Sequence, residues 1–230
     1  MVSRKHIGAL ALCSALLFGT PTLAGPPDGC AGLRDGASAE QAFVSVERFP
    51  EGAACFLVPP MVTTTPGLYA QGKADVLFLS PVELLEYVRG RQSVMVGAEE
   101  RNVTWDKLGC LENPAPKLIA IMSRYDHAYV TVGEMTAYAD ETPTDMPGYV
   151  RYFDTVGDYY VADTRPEALV SFFCRRVPEG SRDVCQIEGD YDQMTAVVTY
   201  HKSQMADVRP EQALKCVRTI ADLFRISPTN

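Results

Sequence analysis

The 230-residue sequence has a single tryptophan, Trp105, and only three histidines, His6, His127 and His201. Scarce imidazole narrows the chemistry on offer. A nucleophile–base–carboxylate triad or a histidine zinc site would have to be assembled around His127 or His201. His127 stands beside Asp126 in "RYDHAYV", but neighbours in an extended segment point to opposite faces, so the pair does not read as a base with its orienter. No G-x-S-x-G, H-E-x-x-H, phosphate loop or dinucleotide fingerprint occurs. "EGDYD" spaces Glu188, Asp190 and Asp192 as calcium loops do, without the rest of such a loop, and reads as a polar turn before a strand. No cofactor or metal is expected. Positive charge is also in deficit, 21 Lys and Arg against 29 Asp and Glu, a net −8. That excess repels nucleic acid and anionic membrane surfaces. Past the first 24 residues no apolar run approaches the roughly 18 residues of a spanning helix.

The first stretch, "MVSRKHIGALALCSALLFGTPTLAG", has a short basic start at Arg4 and Lys5, an apolar run from Ile7 to Phe18 and small residues up to Ala24. It reads as a secretory signal over residues 1–24, cleaved after Ala24. Cleavage leaves 19 basic residues against 29 acidic ones, a net −10. The expected location is the periplasm or the outside of the cell, with no membrane insertion once the signal is gone.

Six cysteines then remain, Cys30, Cys55, Cys110, Cys174, Cys185 and Cys216. An even count in an exported chain reads as disulfides. In "CRRVPEGSRDVC" ten residues separate Cys174 from Cys185 around a Pro-Glu-Gly turn. That spacing is too wide for a redox pair and has too few ligands for zinc. A Cys174–Cys185 bridge across a hairpin is the preferred reading, worth about 3 kcal/mol in the chain-entropy model; the alternative pairs each elsewhere, for example with Cys216.

The organisation reads as α+β: mostly antiparallel sheet with a few helices packed on one face, disulfide-braced and arranged as two related lobes. Residues 25–140 form the N-terminal lobe, 141–148 a linker ("ETPTDMPG"), and 149–230 the C-terminal lobe ending in an amphipathic helix. Strand candidates are "ADVLFLS" (74–80), "KLIAIMS" (117–123), "AYVTVGEMTAYA" (128–139), "VRYFDTVGDYYVADT" (150–164, two strands), "ALVSFFCRRV" (168–177) and "TAVVTYH" (195–201). Ser80-Pro81-Val82-Glu83 carries a capping-box start and Gly90 a left-handed stop for a short helix. From Pro210 to about Arg225, Ala213, Leu214, Val217, Ile220, Ala221 and Phe224 share one helical face. Two stretches, 44–90 and 168–225, each read hairpin, strand, then a helix opening on proline, which suggests an internal repeat.

One surface stands out. Residues 134–163 carry seven acids and a single base, interleaved with tyrosines. Asp145, Tyr149, Tyr152, Asp154, Asp158, Tyr159 and Tyr160 are the expected partner contacts, since tyrosine buries area while keeping a polar handle and an acidic field steers a cationic partner. The partner so implied is a protein with a basic surface or cleft.

The signal, the acidic mature chain and the ending (the cysteine hairpin 174–185, "TAVVTYH" and "PEQALKCVRTIADLF") resemble small periplasmic immunity proteins that neutralise toxins of bacterial type VI secretion. The resemblance covers roughly the last 60 residues plus the signal and transfers no site residue. It implies a non-catalytic inhibitor that covers a toxin's active cleft. An envelope or secretion accessory protein binding a partner or small ligand, and an exported hydrolase with an unrecognised site, are the alternative readings.

Overall fold

The structure, a computed structural model, describes residues 41–48, 52–64, 76–103, 108–123, 140–142, 144, 146–153, 157–162, 172–175 and 183–226. The fold is α+β and mostly antiparallel, as the sequence reads. An eight-stranded sheet runs β3 (Val76–Leu79), β6 (Leu118–Ser123), β12 (Met194–His201), β11 (Val184–Tyr191), β10 (Phe172–Arg175), β9 (Gly157–Ala162), β8 (Tyr149–Phe153) and β7 (Asp140–Thr142), every pair antiparallel. A smaller sheet joins β1 (Ala42–Glu47), β2 (Ala53–Val58) and β13 (Arg225–Ile226), and β4 (Ser93–Val96) pairs with β5 (Glu99–Asn102) as a separate hairpin. Helices α1 (Pro81–Val88) and α2 (Pro210–Phe224), with three short 3-10 turns, complete the described elements.

α2 sits where the two sheets meet. Its buried residues are Ala213, Cys216, Val217, Ile220, Ala221 and Phe224, and it packs on β12, β11 and β6 of the large sheet and on β2 of the small one. Side-chain alternation in β11 turns Cys185, Ile187, Gly189 and Tyr191 towards the helix and Gln186 and Glu188 away. Gly189 is there because the backbone and helix approach closely: a Cβ would stand 2.5 Å from Leu214 Cδ1. β11 and β12 turn through Asp192 and Gln193, both at positive φ (46° and 64°), the pattern of a two-residue I′ turn.

The C-terminal end of α2 is a polar knot. The helix has no basic residue in its last turn. Arg101 of β5 supplies the donor, its Nη1 reaching the carbonyls of Asp222 (3.1 Å), Leu223 (3.0 Å) and Arg225 while Nη2 pairs with Glu99 at 2.7 Å. Tyr191 donates its hydroxyl to Asp222 at 2.7 Å. Asp192 accepts from Arg48 at 2.9 Å and pairs with Arg225. The turn of the first hairpin, the β11–β12 turn and the helix exit are thereby joined. Asp192 of "EGDYD" is a binder of arginines within the chain, and no group of three or more metal-ligating side chains occurs among the described residues.

Several expectations change on this architecture. Residues 141–148 do not separate two sheets: β3 and β6 from before them pair in one sheet with strands from after them, β7 opens the segment as an edge strand, and Met146 is buried. The hairpin–strand–helix stretches are built differently. β10, β11 and β12 are consecutive neighbours in the large sheet, whereas β1 and β2 lie in the small sheet and β3 in the large one. What the two stretches share is turn residues and a proline at the helix start. α1 begins at Pro81 and Gly90 takes a φ of 73° as expected, but Ser80 makes no side-chain cap bond; α1 buries Pro81, Leu84 and Val88. The strand expected over 128–139 lies outside the described residues.

Two disulfides brace the fold. Cys174 and Cys185 face each other in the β10–β11 register and are bonded. Cys110, in a short 3-10 turn, is bonded to Cys216 on α2, 106 residues away in sequence. Cys55 is also disulfide-bonded, and Cys30 lies outside the described residues. Thiol titration of the denatured, unreduced mature chain should find no free thiol; one or two would contradict the bracing. In the chain-entropy model the long loop is worth about 4.7 kcal/mol and the short one about 3. Urea unfolding should accordingly show the Cys110→Ser/Cys216→Ser pair losing more stability than Cys174→Ser/Cys185→Ser.

Candidate functional site

Among the described residues of the acidic, tyrosine-rich segment, the groups expected to meet a partner divide between buried and part-exposed positions. Tyr160 is fully buried and stacks on Phe172 at 4.5 Å between ring centroids. Tyr152 is buried, and Tyr149 is half-buried with its ring edge-on to Phe172. Tyr159 lies on the opposite face of the sheet against Phe173. Asp158 is 6 % exposed and bonds Arg151 at 2.8 Å and Lys202 at 3.3 Å. The register explains the burial of Asp158 and Tyr160: Cys174 stands opposite Asp158 and Phe172 opposite Tyr160, so the face carrying the buried disulfide also carries both residues. Asp158, Tyr152 and Tyr160 are thus packing and ion-pair groups, which corrects their expected role as surface contacts. Asp145 and Asp154 lie outside the described residues. Of the seven, Tyr149 and Tyr159 keep some exposed area.

A different surface has the character of a docking site. The largest exposed apolar side chains among the described residues are Met61, Val82 and Met95. Two of these are neighbours. Ser80 N donates to Val62 O at 2.8 Å, and Thr63 bridges to Leu79, so the antiparallel approach brings Met61 (58 % exposed) alongside the start of α1, where Val82 (61 % exposed) projects. α1 explains the exposure. Its inward stripe is Pro81–Leu84–Val88, so Val82 projects outward, with Leu85 partly buried between it and the core. Beside them opens a groove of about 290 Å³ lined by Val82, Leu85, Leu111 and Pro116 among others. Its rim holds Glu86, Glu112 and Arg89, the last pairing with Glu112 at 3.7 Å; Glu83, exposed in the first turn of α1, stands nearby. Sequence reading missed this site, although two apolar positions three apart beside a complete inward stripe were visible in "PVELLEYV".

The electrostatics of the large sheet are set by burial. On the face away from α2, burial pushes the Glu188 carboxyl above its ordinary value, and the Gln186 amide that donates to it pulls only partly back. Tyr191 is held well above the ordinary phenol range, first by burial and then by Asp222. No helix among the described residues is long and apolar enough to cross a membrane.

No protein-family model matches the chain, and no curated protein matches it in sequence. Among solved structures it is similar to Smlt3025, an immunity protein of the Stenotrophomonas maltophilia type IV secretion system, at 12% identity and a TM-score of 0.38, over 81% of this chain and 94% of that one. The resemblance read from the sequence is to immunity proteins of type VI systems.

Two outcomes check these assignments. Asp158→Ala should cost about 3 kcal/mol, because Arg151 and Lys202 lose their shared partner in a largely buried setting; a surface contact would change stability by no more than about 0.5 kcal/mol. Glu188 has its folded pKa raised, so its contribution to stability is complete below the ordinary carboxylate range and is lost as pH rises through the raised value. Glu188→Gln should therefore match the wild type at low pH and exceed it in stability at neutral pH, as read by urea unfolding across that range.

Proposed function

We propose that the chain is an exported, non-catalytic binding protein that neutralises a protein toxin by covering its active cleft, in the periplasm or outside the cell. The observation that carries this reading is the paired projection of Met61 and Val82 beside an apolar groove with carboxylates at its rim. Two large apolar side chains held in water by rigid elements have an energetic reason to meet a partner. A central apolar anchor within a charged rim is the arrangement that concentrates binding energy at protein interfaces. Glu83 and Glu86 make no ion pair among the described residues, and the chain as a whole is acidic. A basic cleft on the partner complements both, with the acids acting on encounter rate and orientation. Export is supported by the cysteines, since each of the five at described positions is bonded. Tyr149 and Tyr159 are at most a secondary contact, because β8 and β9 lie towards the opposite end of the large sheet from β3.

The test is protection. Bacteria expressing the chain with its leader should survive the toxin encoded beside it, and the purified mature chain should bind that toxin with an on-rate that falls as salt rises. Met61→Glu with Val82→Glu should weaken binding by about a hundredfold or more and abolish protection, while the melting temperature holds. Full protection by the double variant, or protection by a Tyr159→Ala-sensitive surface instead, contradicts the assignment.

A further inference from the structure

We infer that the cleft between α2, the end of β5 and residues 108–114 is a binding site for a small carboxylate with an apolar body. The cleft holds about 920 Å³, within the roughly 300–1,000 Å³ of small-molecule sites. It shares no residue with the Met61–Val82 surface, so the two readings stand or fall separately.

Tyr200 is the feature that asks for a ligand. It lines the cleft and is 3 % exposed as a residue, yet its hydroxyl makes no hydrogen bond among the described residues and, not being one of the enclosed polar atoms, stays open to the cleft. Buried tyrosines ordinarily find a partner for that group. Burial raises the phenol to about 12, so the group stays protonated at neutral pH and is available as a donor to a ligand in the cleft. Position explains how it came there: Tyr200 pairs with Cys185 across the sheet and faces α2, on the same side as Val198.

The surroundings specify the ligand's chemistry. Val103, Leu108, Val208, Ala213 and Leu223 give apolar lining. At α2's start, the N-cap residue Arg209 makes no side-chain cap bond and Pro210 has no amide to offer, which leaves the amides of Glu211 and Gln212 without a side-chain partner. Arg209 and Lys215 also line the cleft, are exposed and form no ion pair. Of the other charges, Glu211 in the first turn of α2 does not line the cleft. Arg101 is committed to Glu99 and the helix carbonyls, the Asp222 carboxylate accepts from Tyr191, and Asp207 is exposed. A neutral phenol donor, an uncapped helix start and two free cations match a carboxylate, and the apolar lining matches a hydrocarbon body more than a bare inorganic anion.

The experiment titrates the oxidised mature chain with octanoate, and separately with octylamine, which carries the same body and the opposite charge. Octanoate should bind saturably at sub-millimolar concentration and octylamine should not. Tyr200→Phe should weaken octanoate by about tenfold or more, the scale of a hydrogen bond to a charged group, without lowering the melting temperature, because no protein partner is lost. Arg209→Glu with Lys215→Glu should weaken it at least as much. Absence of saturable octanoate binding, equal binding by Tyr200→Phe, equal binding of octylamine, or a lower melting temperature for Tyr200→Phe would each overturn the site.

Discussion

A helix that ends inside a protein must find donors for its last carbonyls, and α2 finds them on Arg101. Most of the architecture hangs on that requirement. The guanidinium fixes β5 against the helix exit. The chain leaving the helix then runs straight into β13, which pairs with β2. Arg225 at that exit meets Asp192, and Asp192 meets Arg48 from the first hairpin. Each ion pair is partly exposed and modest alone. Together they set the angle at which the small sheet covers α2, and so complete the core of Phe56, Ile220 and Phe224.

The other half of α2 is fixed covalently. Cys110–Cys216 pins the helix to the turn that follows β5, and that same turn forms one wall of the cleft over Tyr200. α1 is placed by the backbone bridge between residues 62–63 and 79–80, which holds Met61 and Val82 in water. Rigid support on both sides has a functional meaning. Binding surfaces gain affinity when their side chains are already ordered.

Period and punctuation made much of the fold legible. The face of α2 was plain because Ala213, Val217, Ile220 and Phe224 repeat at helical spacing, and the Cys174–Cys185 hairpin because turn and cysteines agreed. β6, β8, β9 and β12 announced themselves through β-branched and aromatic runs. Strand partners were not legible. That β3 and β6 join β12 is a long-range choice which local pattern does not carry, and it is why strands from both expected lobes share the eight-stranded sheet. The burial of Tyr152, Asp158 and Tyr160 was hidden for a related reason. Charge and tyrosine content along residues 134–163 looked like a surface, but register decides which residues face inward, and Asp158 and Tyr160 fall on the disulfide's side. Arg151 lies near Asp158 in sequence; Lys202, its second partner, is supplied from β12's far end. The unpartnered hydroxyl of Tyr200 cannot be seen in a sequence at all.

The central claim is that the α2 exit makes the two sheets one cooperative body. Native-state hydrogen exchange on Arg101→Met tests it most directly. The account predicts that amides of β1, β2 and β13 and those of β6, β11 and β12 lose protection together, by about tenfold or more, the scale of orphaned helix carbonyls. Loosening confined to the β4–β5 hairpin, with both sheets as protected as before, would contradict it.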